Sequence, residues 1–359
     1  MNMLSTHNDK MRLQNKPPHT VLELFAGCGG MSTGFEMAGL NVVCASDSWD
    51  VADETYRRNH PGTQFVLGDI REKAVKERIV EAFGDRKCDI VAGGIPCQAY
   101  SLAGKRNPDD PRGHLYEDFL SVVDMLQPKV VLIENVRGIT SMIHPRKPYW
   151  NVDAEWLKAV EPRSYEASLL DAVVNEDVAW KIIRRLGEHG YCADYQILNA
   201  ADYGAPQARK RVIFQGIRND LPLAEAYPEP THGPGLIPWA TVRDAIADLA
   251  DWPEDLEWSH VFSKHNPAHL ERIKNTPVGS SLYPNYSDAY YRQPPDQPAR
   301  TVKEHHGEVF IHYARPRVMT PRELARLQTF PDDYLFCGPK GKVLVQIGNA
   351  VPPLLAKAV

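Results

Sequence analysis

The chain has 359 residues, 43% of them hydrophobic and 24% charged, with a formal net charge of −5. That length predicts a full core in one large domain with a smaller one beside it, and the net acidity excludes a surface coated in positive charge, though not a local basic face. No apolar run approaches the ~20 residues of a membrane span, and the polar start over residues 1–18 lacks the apolar centre of a signal peptide, so these residues read as a loose arm on a cytoplasmic protein.

From about residue 20 to residue 218, short apolar runs alternate with helical stretches, which predicts an α/β fold with a mostly parallel sheet. Five runs end in chemically capable residues. Thr20-Val21-Leu22-Glu23-Leu24 meets Phe25-Ala26-Gly27-Cys28-Gly29-Gly30, and the run from Leu40 meets Ser46-Asp47. Thr63 to Leu67 meets Gly68-Asp69-Ile70, Asp89 to Ala92 meets Gly93-Gly94-Ile95-Pro96-Cys97-Gln98, and Lys129 to Ile133 meets Glu134-Asn135-Val136. In open parallel sheets, ligands sit beyond the carboxyl ends of the strands.

Residues 29–38, 115–126 and 177–190 read as helices, the last with Val178, Ile182, Ile183 and Leu186 at helical spacing. Residues 195–198 and 211–216 read as strands. Residues 140–169 break the rhythm and read as an insertion. From 220 to about 316 prolines become dense and tyrosines rise, which predicts a separate, loop-rich domain. Thr320-Pro321 with Glu323 predicts a helix opened by a capping box, and the apolar end from Val343 is expected to rejoin the first domain.

The glycine turn after the first run is suited to an anion at a helix N-terminus, and Asp47, twenty residues beyond Gly27, to ribose hydroxyls. A dinucleotide fingerprint needs a glycine where this chain has Ser32, which disfavours a nicotinamide oxidoreductase. S-adenosylmethionine needs no phosphate site, because its anion is an amino-acid carboxylate, and Asp69 is placed to accept from an adenine amino group. The plain alternative is that both aspartates only cap the helices that follow.

Cys97 at a strand end is a candidate nucleophile, or else a small buried core residue. Paired with Glu134 it suits addition to an electron-poor ring: thiolate attack on carbon 6 of cytosine pushes charge onto N3, where a protonated carboxyl absorbs it, and carbon 5 becomes nucleophilic towards a sulfonium methyl group. The six cysteines form no CxxC pair, so neither a disulfide framework nor a metal site is indicated.

At these residues the chain resembles the cytosine carbon-5 DNA methyltransferase family, of the bacterial or phage modification type. The resemblance rests on Phe25 to Gly30, Gly94 to Ser101, Glu134-Asn135-Val136, Gln207-Ala208-Arg209-Lys210-Arg211, Arg322 to Pro331 and Gln346 to Pro352, in that order. It implies a Rossmann-like, S-adenosylmethionine-dependent catalytic domain over residues 19–217 with 336–359, and a target-recognition domain over 218–335. It implies Cys97, Glu134, Arg209 and Arg211 as catalytic residues, Arg211 on the base carbonyl and Arg209 supporting the same region; alone, the two arginines would read as surface ion pairs. It implies a cofactor pocket of Phe25, Ala26, Gly27, Gly29, Asp47, Asp69, Ile70, Pro96, Asn349 and Ala350. DNA contacts are expected from Gln98, Ser101, Lys105 and Arg106, and from Arg292, Arg300 and Lys303 beside Tyr290 and Tyr291, which read equally as a small aromatic core.

The partner expected is double-stranded DNA with the target base flipped out, with a cognate restriction endonuclease as a second partner and the enzyme itself a monomer. Aspartate at 47 and Ser48, Ile95 and Tyr100 depart from the commoner family residues. The alternatives are a transfer-RNA cytosine methyltransferase, whose Cys-Phe-Thr tripeptide is missing here, and a non-catalytic homologue, which would lose the cysteine or glutamate that this chain keeps.

Overall fold

The computed structural model describes residues 19–96, 115–141, 143–145, 175–222, 227–283, 290–303 and 310–359. The polar arm, the segment from Cys97 to His114 and most of the expected insertion over residues 140–169 lie outside them.

The strands are β1 (Thr20–Leu24), β2 (Asn41–Asp47), β3 (Gln64–Leu67), β4 (Ile90–Gly94) and β5 (Val130–Val136), then a small pair β6 (Ile143–Pro145) and β7 (Asn175–Asp177), then β8 (Tyr191–Asn199), β9 (Gln207–Ala208) and β10 (Lys210–Arg218). Seven of them form one sheet in the order β3-β2-β1-β4-β5-β10-β8. The pairs among β1 to β5 are parallel, and β10 alone runs against its two neighbours. The βα rhythm did not signal that reversal, and it has a local cause. A parallel return needs a crossover of about a dozen residues or more, usually a helix. The link from Asn199 to Lys210 holds only a 3-10 turn, Ala200–Tyr203, and β9, so the chain doubles back between β5 and β8.

Side chains alternate across the sheet as strand geometry requires. Leu22 and Leu24 of β1, Val131 and Ile133 of β5, and Val212 and Phe214 of β10 enter one core, whereas Val21, Leu132 and Ile213 from the same strands enter the opposite one. The first core is covered by α3 (Lys73–Glu81), α4 (Leu115–Leu126) and α5 (Val178–Glu188), which bring Ile79, Phe119 and Ile182 onto the sheet. α4 has the bounds its sequence predicts. Glu117 and Asp118 sit in its first turn, where they favour the positive end of the helix, and it stops at Gln127, left-handed at φ 47° ahead of Pro128.

The opposite core is covered by α1 (Gly30–Met37) and the last helix of the chain, α10 (Pro353–Ala358), through Met31, Phe35, Leu355 and Ala356. Between these in sequence, α2 (Asp50–Asn59) follows β2.

The second lobe is built from short pieces. They are α6 (Val242–Ile246), α7 (Pro267–Asn275), β11 (Tyr291–Arg292), β12 (Ala299–Arg300) and β13 (Phe310–Ile311), followed by α8 (Pro321–Leu327) and α9 (Lys340–Asn349). α8 opens with the capping box its sequence encodes: Thr320 Oγ1 accepts from the Glu323 N–H at 3.2 Å, and Glu323 Oε2 accepts from the Thr320 N–H at 2.8 Å. Val242, Val302, Phe310, Leu324, Leu327 and Phe330 share one core with Leu344 and Ile347 of α9, and that core reaches Cys28 in the glycine turn. Among the described residues, no helix is long and apolar enough to cross a membrane.

Two glycines make the close packing of chain end on chain start possible. A Cβ on Gly30 would come within 2.5 Å of the Val351 carbonyl oxygen, and one on Gly34 within 2.5 Å of both Ala356 Cβ and the Pro353 carbonyl oxygen. Gly34→Val therefore forces α10 away from α1, and we expect a loss of about 1–3 kcal/mol, read as a lower midpoint in denaturant unfolding. An unchanged midpoint would show that this contact does not hold the chain end.

Candidate active site

The first strand ends in a turn that ordinary backbone geometry disfavours. Phe25, Gly27 and Gly29 all have positive φ, at 56°, 52° and 89°, and for Phe25 a left-handed conformation costs about 1–2 kcal/mol. Gly29 caps α1. It has to be glycine for a second reason, since a Cβ there would lie 2.5 Å from His60 Nε2 and 2.8 Å from the Tyr334 hydroxyl. Tyr334 hydrogen-bonds the Cys28 carbonyl from beneath, so the second lobe grips the turn directly.

Asp47 ends β2 and ties this turn to the next. Its Oδ2 accepts from the Gly27 N–H at 2.7 Å and its Oδ1 from the Trp49 N–H at 2.8 Å, just ahead of α2. Burial raises this carboxyl above its ordinary range, against the pull of those N–H groups. Asp69 beyond β3 is held by Arg71, whose Nε lies 3.0 Å from each carboxylate oxygen, and that pairing lowers its pKa. Both aspartates thus make the local contacts that their sequence positions left open. Ile70 is buried next to Asp69, Pro96 is half-buried beyond β4, Asn349 is exposed at the end of α9, and Ala350 follows it into the core.

The other half of the site lies where β4, β5 and β10 meet. Gly94 is paired with Glu134, and Arg211 with Val136. Arg211 Nε lies 2.6 Å from Glu134 Oε1, with 11% of each side chain exposed. A Cβ on Gly94 would sit 3.2 Å from Glu134 Oε2, so the glycine leaves room for the carboxylate. Asn135, buried behind it, donates from Nδ2 to the Ile95 carbonyl at 3.2 Å and so holds the start of the segment that leads to Cys97. Cys97, Gln98, Ser101, Lys105 and Arg106 lie outside the described residues.

Arg209 does not face this cleft. It is 2% exposed, and its guanidinium donates to the Val302 carbonyl at 2.6 Å and the Gly348 carbonyl at 3.0 Å, which ties the residue after β9 to α9 and to the segment after β12. Arg292, expected at the DNA surface, is likewise turned inward: its nitrogens donate to the carbonyls of Thr276 at 2.7 Å, Ile273 at 2.5 Å and His312 at 3.0 Å. A guanidinium spent on buried carbonyls is an internal clamp, not a reader of bases. Arg300 and Lys303 are exposed, and Arg300 lies 3.7 Å from the centre of the Tyr291 ring. Tyr291 belongs to the lobe core, and Tyr290 packs against His265, His269 and Tyr283, so these tyrosines form aromatic packing.

A mostly parallel sheet with a glycine turn and a carboxylate beyond its first two strands, and a glutamate–arginine pair beside its fourth and fifth, defines a Rossmann-like methyltransferase fold. The chain belongs to the C-5 cytosine-specific DNA methylase family, whose model matches residues 19–174 and 168–359. By family it is a DNA cytosine-5 methyltransferase. It is 34% identical over 355 residues to the type II methyltransferase M1.HphI of Haemophilus parahaemolyticus, covering 95% of this chain and 85% of that protein. It is 33% identical to the type II methyltransferase M.XorII of Xanthomonas oryzae pv. oryzae, over 94% of this chain and 82% of that one. Among solved structures, a DNA modification methyltransferase from an E. coli prophage superposes with a TM-score of 0.71 at 26% identity, over 94% of this chain and 96% of that one. A DNMT2 variant of Spodoptera frugiperda, at 20% identity and a TM-score of 0.57 over 94% of this chain and 97% of that one, shares the fold.

One group under the glycine turn gave no sequence signal. Glu23, in the middle of β1, is 2% exposed, hydrogen-bonds Ser32 Oγ, and through it meets Tyr56 Oη, 2.6 Å from that hydroxyl. Ser32, whose presence argued against a dinucleotide site, thus has a structural task. Burial raises the Glu23 pKa from 4.5 to about 8. A carboxyl raised on folding contributes stability that is complete below its unfolded pKa and is lost as pH rises through the folded one. Between about pH 4.5 and 8, Glu23→Gln should therefore remove a falling slope of up to about 1.4 kcal/mol per pH unit, measured by denaturant unfolding across that range. Parallel stability curves for the two proteins would show that Glu23 is not the titrating group.

Proposed function

We propose that this chain transfers a methyl group from S-adenosyl-L-methionine to carbon 5 of a cytosine flipped out of a specific duplex DNA sequence, with Cys97 as the nucleophile. The observation that carries the proposal is the Glu134–Arg211 pair, 2.6 Å apart and nearly buried, beside Gly94-Ile95-Pro96, whose next residue is Cys97. A carboxyl and a guanidinium side by side complement the edge of cytosine. The carboxyl serves N3 and the exocyclic amine, and the guanidinium serves the carbonyl oxygen.

The chain's own residues would act in order. The Cys97 thiolate adds to carbon 6, forming a carbon–sulfur bond, and N3 takes a proton from Glu134 as the ring electrons shift. Arg211 holds the carbonyl oxygen throughout. Carbon 5, now nucleophilic, forms the new carbon–carbon bond. A water molecule then takes the carbon 5 proton, the carbon 6–sulfur bond breaks to return the Cys97 thiolate, and the N3 proton returns to Glu134. S-adenosyl-L-methionine would supply, when bound, the electrophilic methyl group that carbon 5 receives, its sulfonium–methyl bond breaking so that S-adenosylhomocysteine is the leaving group.

The residues present fit that cofactor. A Cβ on Gly27 would meet nothing within 4 Å, so the turn borders open space, and the Asp47 carboxylate stands beside it. Phe25, Ala26, Gly29 and Ala350 would complete that wall, with Asp69, Ile70, Pro96 and Asn349 around the nucleoside.

Flipping the base costs a few kcal/mol of unstacking, to be recovered in the pocket. Arg300 and Lys303 from the second lobe, with Gln98, Ser101, Lys105 and Arg106 from the sequence that follows Cys97, are the residues we assign to DNA contact. The type II relatives favour a modification enzyme that protects cytoplasmic DNA from a cognate endonuclease.

Duplex DNA carrying 5-fluorocytosine tests the chemistry, because fluorine on carbon 5 cannot leave as a proton. With S-adenosylmethionine present, we expect a protein–DNA adduct that survives denaturing electrophoresis and is absent in Cys97→Ala. An adduct that persists in Cys97→Ala, or one formed with transfer RNA and not with DNA, would overturn the proposal.

A further inference from the structure

Three side chains that take no part in the proposed chemistry form a continuous buried link between the segment assigned to DNA and the cofactor turn. Gln207 and Gln328 are fully buried, and Arg209 nearly so. The link starts at β12 and Val302. Ala299 and Arg300 are paired with Gln207 and Ala208, Thr301 Oγ1 donates to the Ala208 carbonyl at 2.9 Å, and the Val302 N–H donates to Gln207 Oε1 at 3.0 Å. Gln207 Nε2 then donates to Gln328 Oε1 at 2.6 Å and to the Leu327 carbonyl at 2.9 Å. Gln328 Nε2 in turn donates to the Ile347 carbonyl at 2.5 Å and the Ala350 carbonyl at 3.4 Å. Arg209 runs alongside from the Val302 carbonyl to the Gly348 carbonyl. The far end of the link presses on the glycine turn: Val351 and Ala350 pack against Gly30, and Cys28 Sγ donates to the Gln346 carbonyl at 3.4 Å.

Each amide in this chain has its carbonyl oxygen and both its N–H groups engaged, so neither glutamine has a spare partner to slide onto. A buried amide pair with every group engaged has one low-energy arrangement, because a shift at either end leaves a buried donor or acceptor unpaired. The segment carrying Arg300 and Lys303 therefore cannot move relative to the Gly348–Ala350 turn without breaking the link.

We propose that Gln207 and Gln328 are positioning residues that couple DNA engagement by the second lobe to cofactor binding at the glycine turn, so that each ligand tightens the other. The proposal rests on the functional reading above, which puts DNA at one end of the link and S-adenosylmethionine at the other. By linkage the coupling is reciprocal and is measured as a ratio of affinities.

The test is a binding cycle by calorimetry. The probes are S-adenosylhomocysteine and the duplex whose target cytosine the fluorocytosine trap maps. In the native chain we expect the DNA to tighten S-adenosylhomocysteine by a factor of about 5 to 150. In Gln328→Ala we expect that factor to fall to about one to three, while the affinity for S-adenosylhomocysteine alone stays within about threefold of native. Gln328→Glu, which keeps the acceptor and the shape but loses the amide donor, is the second variant should the alanine chain fail to fold, and is expected to uncouple in the same way. A merely structural role would lower both binary affinities or the unfolding midpoint and leave the ratio intact. A native ratio of one, or a native-sized ratio in a folded Gln328 variant, overturns the proposal. Failure of the native chain to bind S-adenosylhomocysteine or DNA at all overturns the functional reading and the link with it, and is recognised before any substitution is made.

Discussion

The structure depends on the return of the chain end to its first turn. β1 finishes in a turn with three positive-φ residues and three glycines, and the segment from Gln346 to Ala356 covers it and α1 at distances only glycine permits. That contact closes the core between α1, the sheet and α10, and it brings α9, and with it the second lobe's core, onto Cys28. Glycine at positions 30 and 34 weakens α1 as a helix, since glycine is about 1 kcal/mol worse than alanine in a helix interior. The close approach of two distant chain segments offsets that weakness. Asp47 braces the same turn from the other side, through the Gly27 N–H.

The sheet then separates two kinds of chemistry along one edge. The parallel strands β1, β2 and β3 present backbone turns and aspartates, suited to a polar nucleoside cofactor. The junction of β4, β5 and β10 presents a glutamate and an arginine in contact. The reversal of β10 matters for this second half. Running against β5, it starts where β5 ends, so Arg211 at its first turn of pleat lies across from Val136 and reaches Glu134. A parallel β10 would begin at the opposite edge of the sheet.

Local features were legible in the sequence. The strand ends, the helix over residues 115–126, the capping box at Thr320 and the mostly parallel sheet all follow from short-range patterns of apolar spacing, turn residues and side-chain caps. What was not legible depends on partners far away in the chain. Arg209 and Arg292 sit in stretches that read as polar surface, and nothing local shows that carbonyls from Val302, Gly348, Thr276 and Ile273 will surround them. Glu23 is one charged residue in an apolar strand, and the upward shift of its carboxyl follows only from its burial beside Ser32 and Tyr56. The direction of β10 was hidden for a related reason, because only the shortness of its connection separates a hairpin from a crossover.

The central claim is that Glu134 and Arg211 serve addition to a cytosine ring, which places the new methyl group on carbon 5. Its most direct test is to incubate the enzyme with unmethylated duplex DNA and S-adenosylmethionine carrying a deuterated methyl group, digest the DNA to nucleosides and locate the label by mass spectrometry. Label in 5-methyldeoxycytidine alone is the result the account predicts. Label on the exocyclic amine of cytosine or adenine would contradict it, because methylation there needs no addition to carbon 6 and leaves the nearly buried Glu134–Arg211 pair without a chemical task.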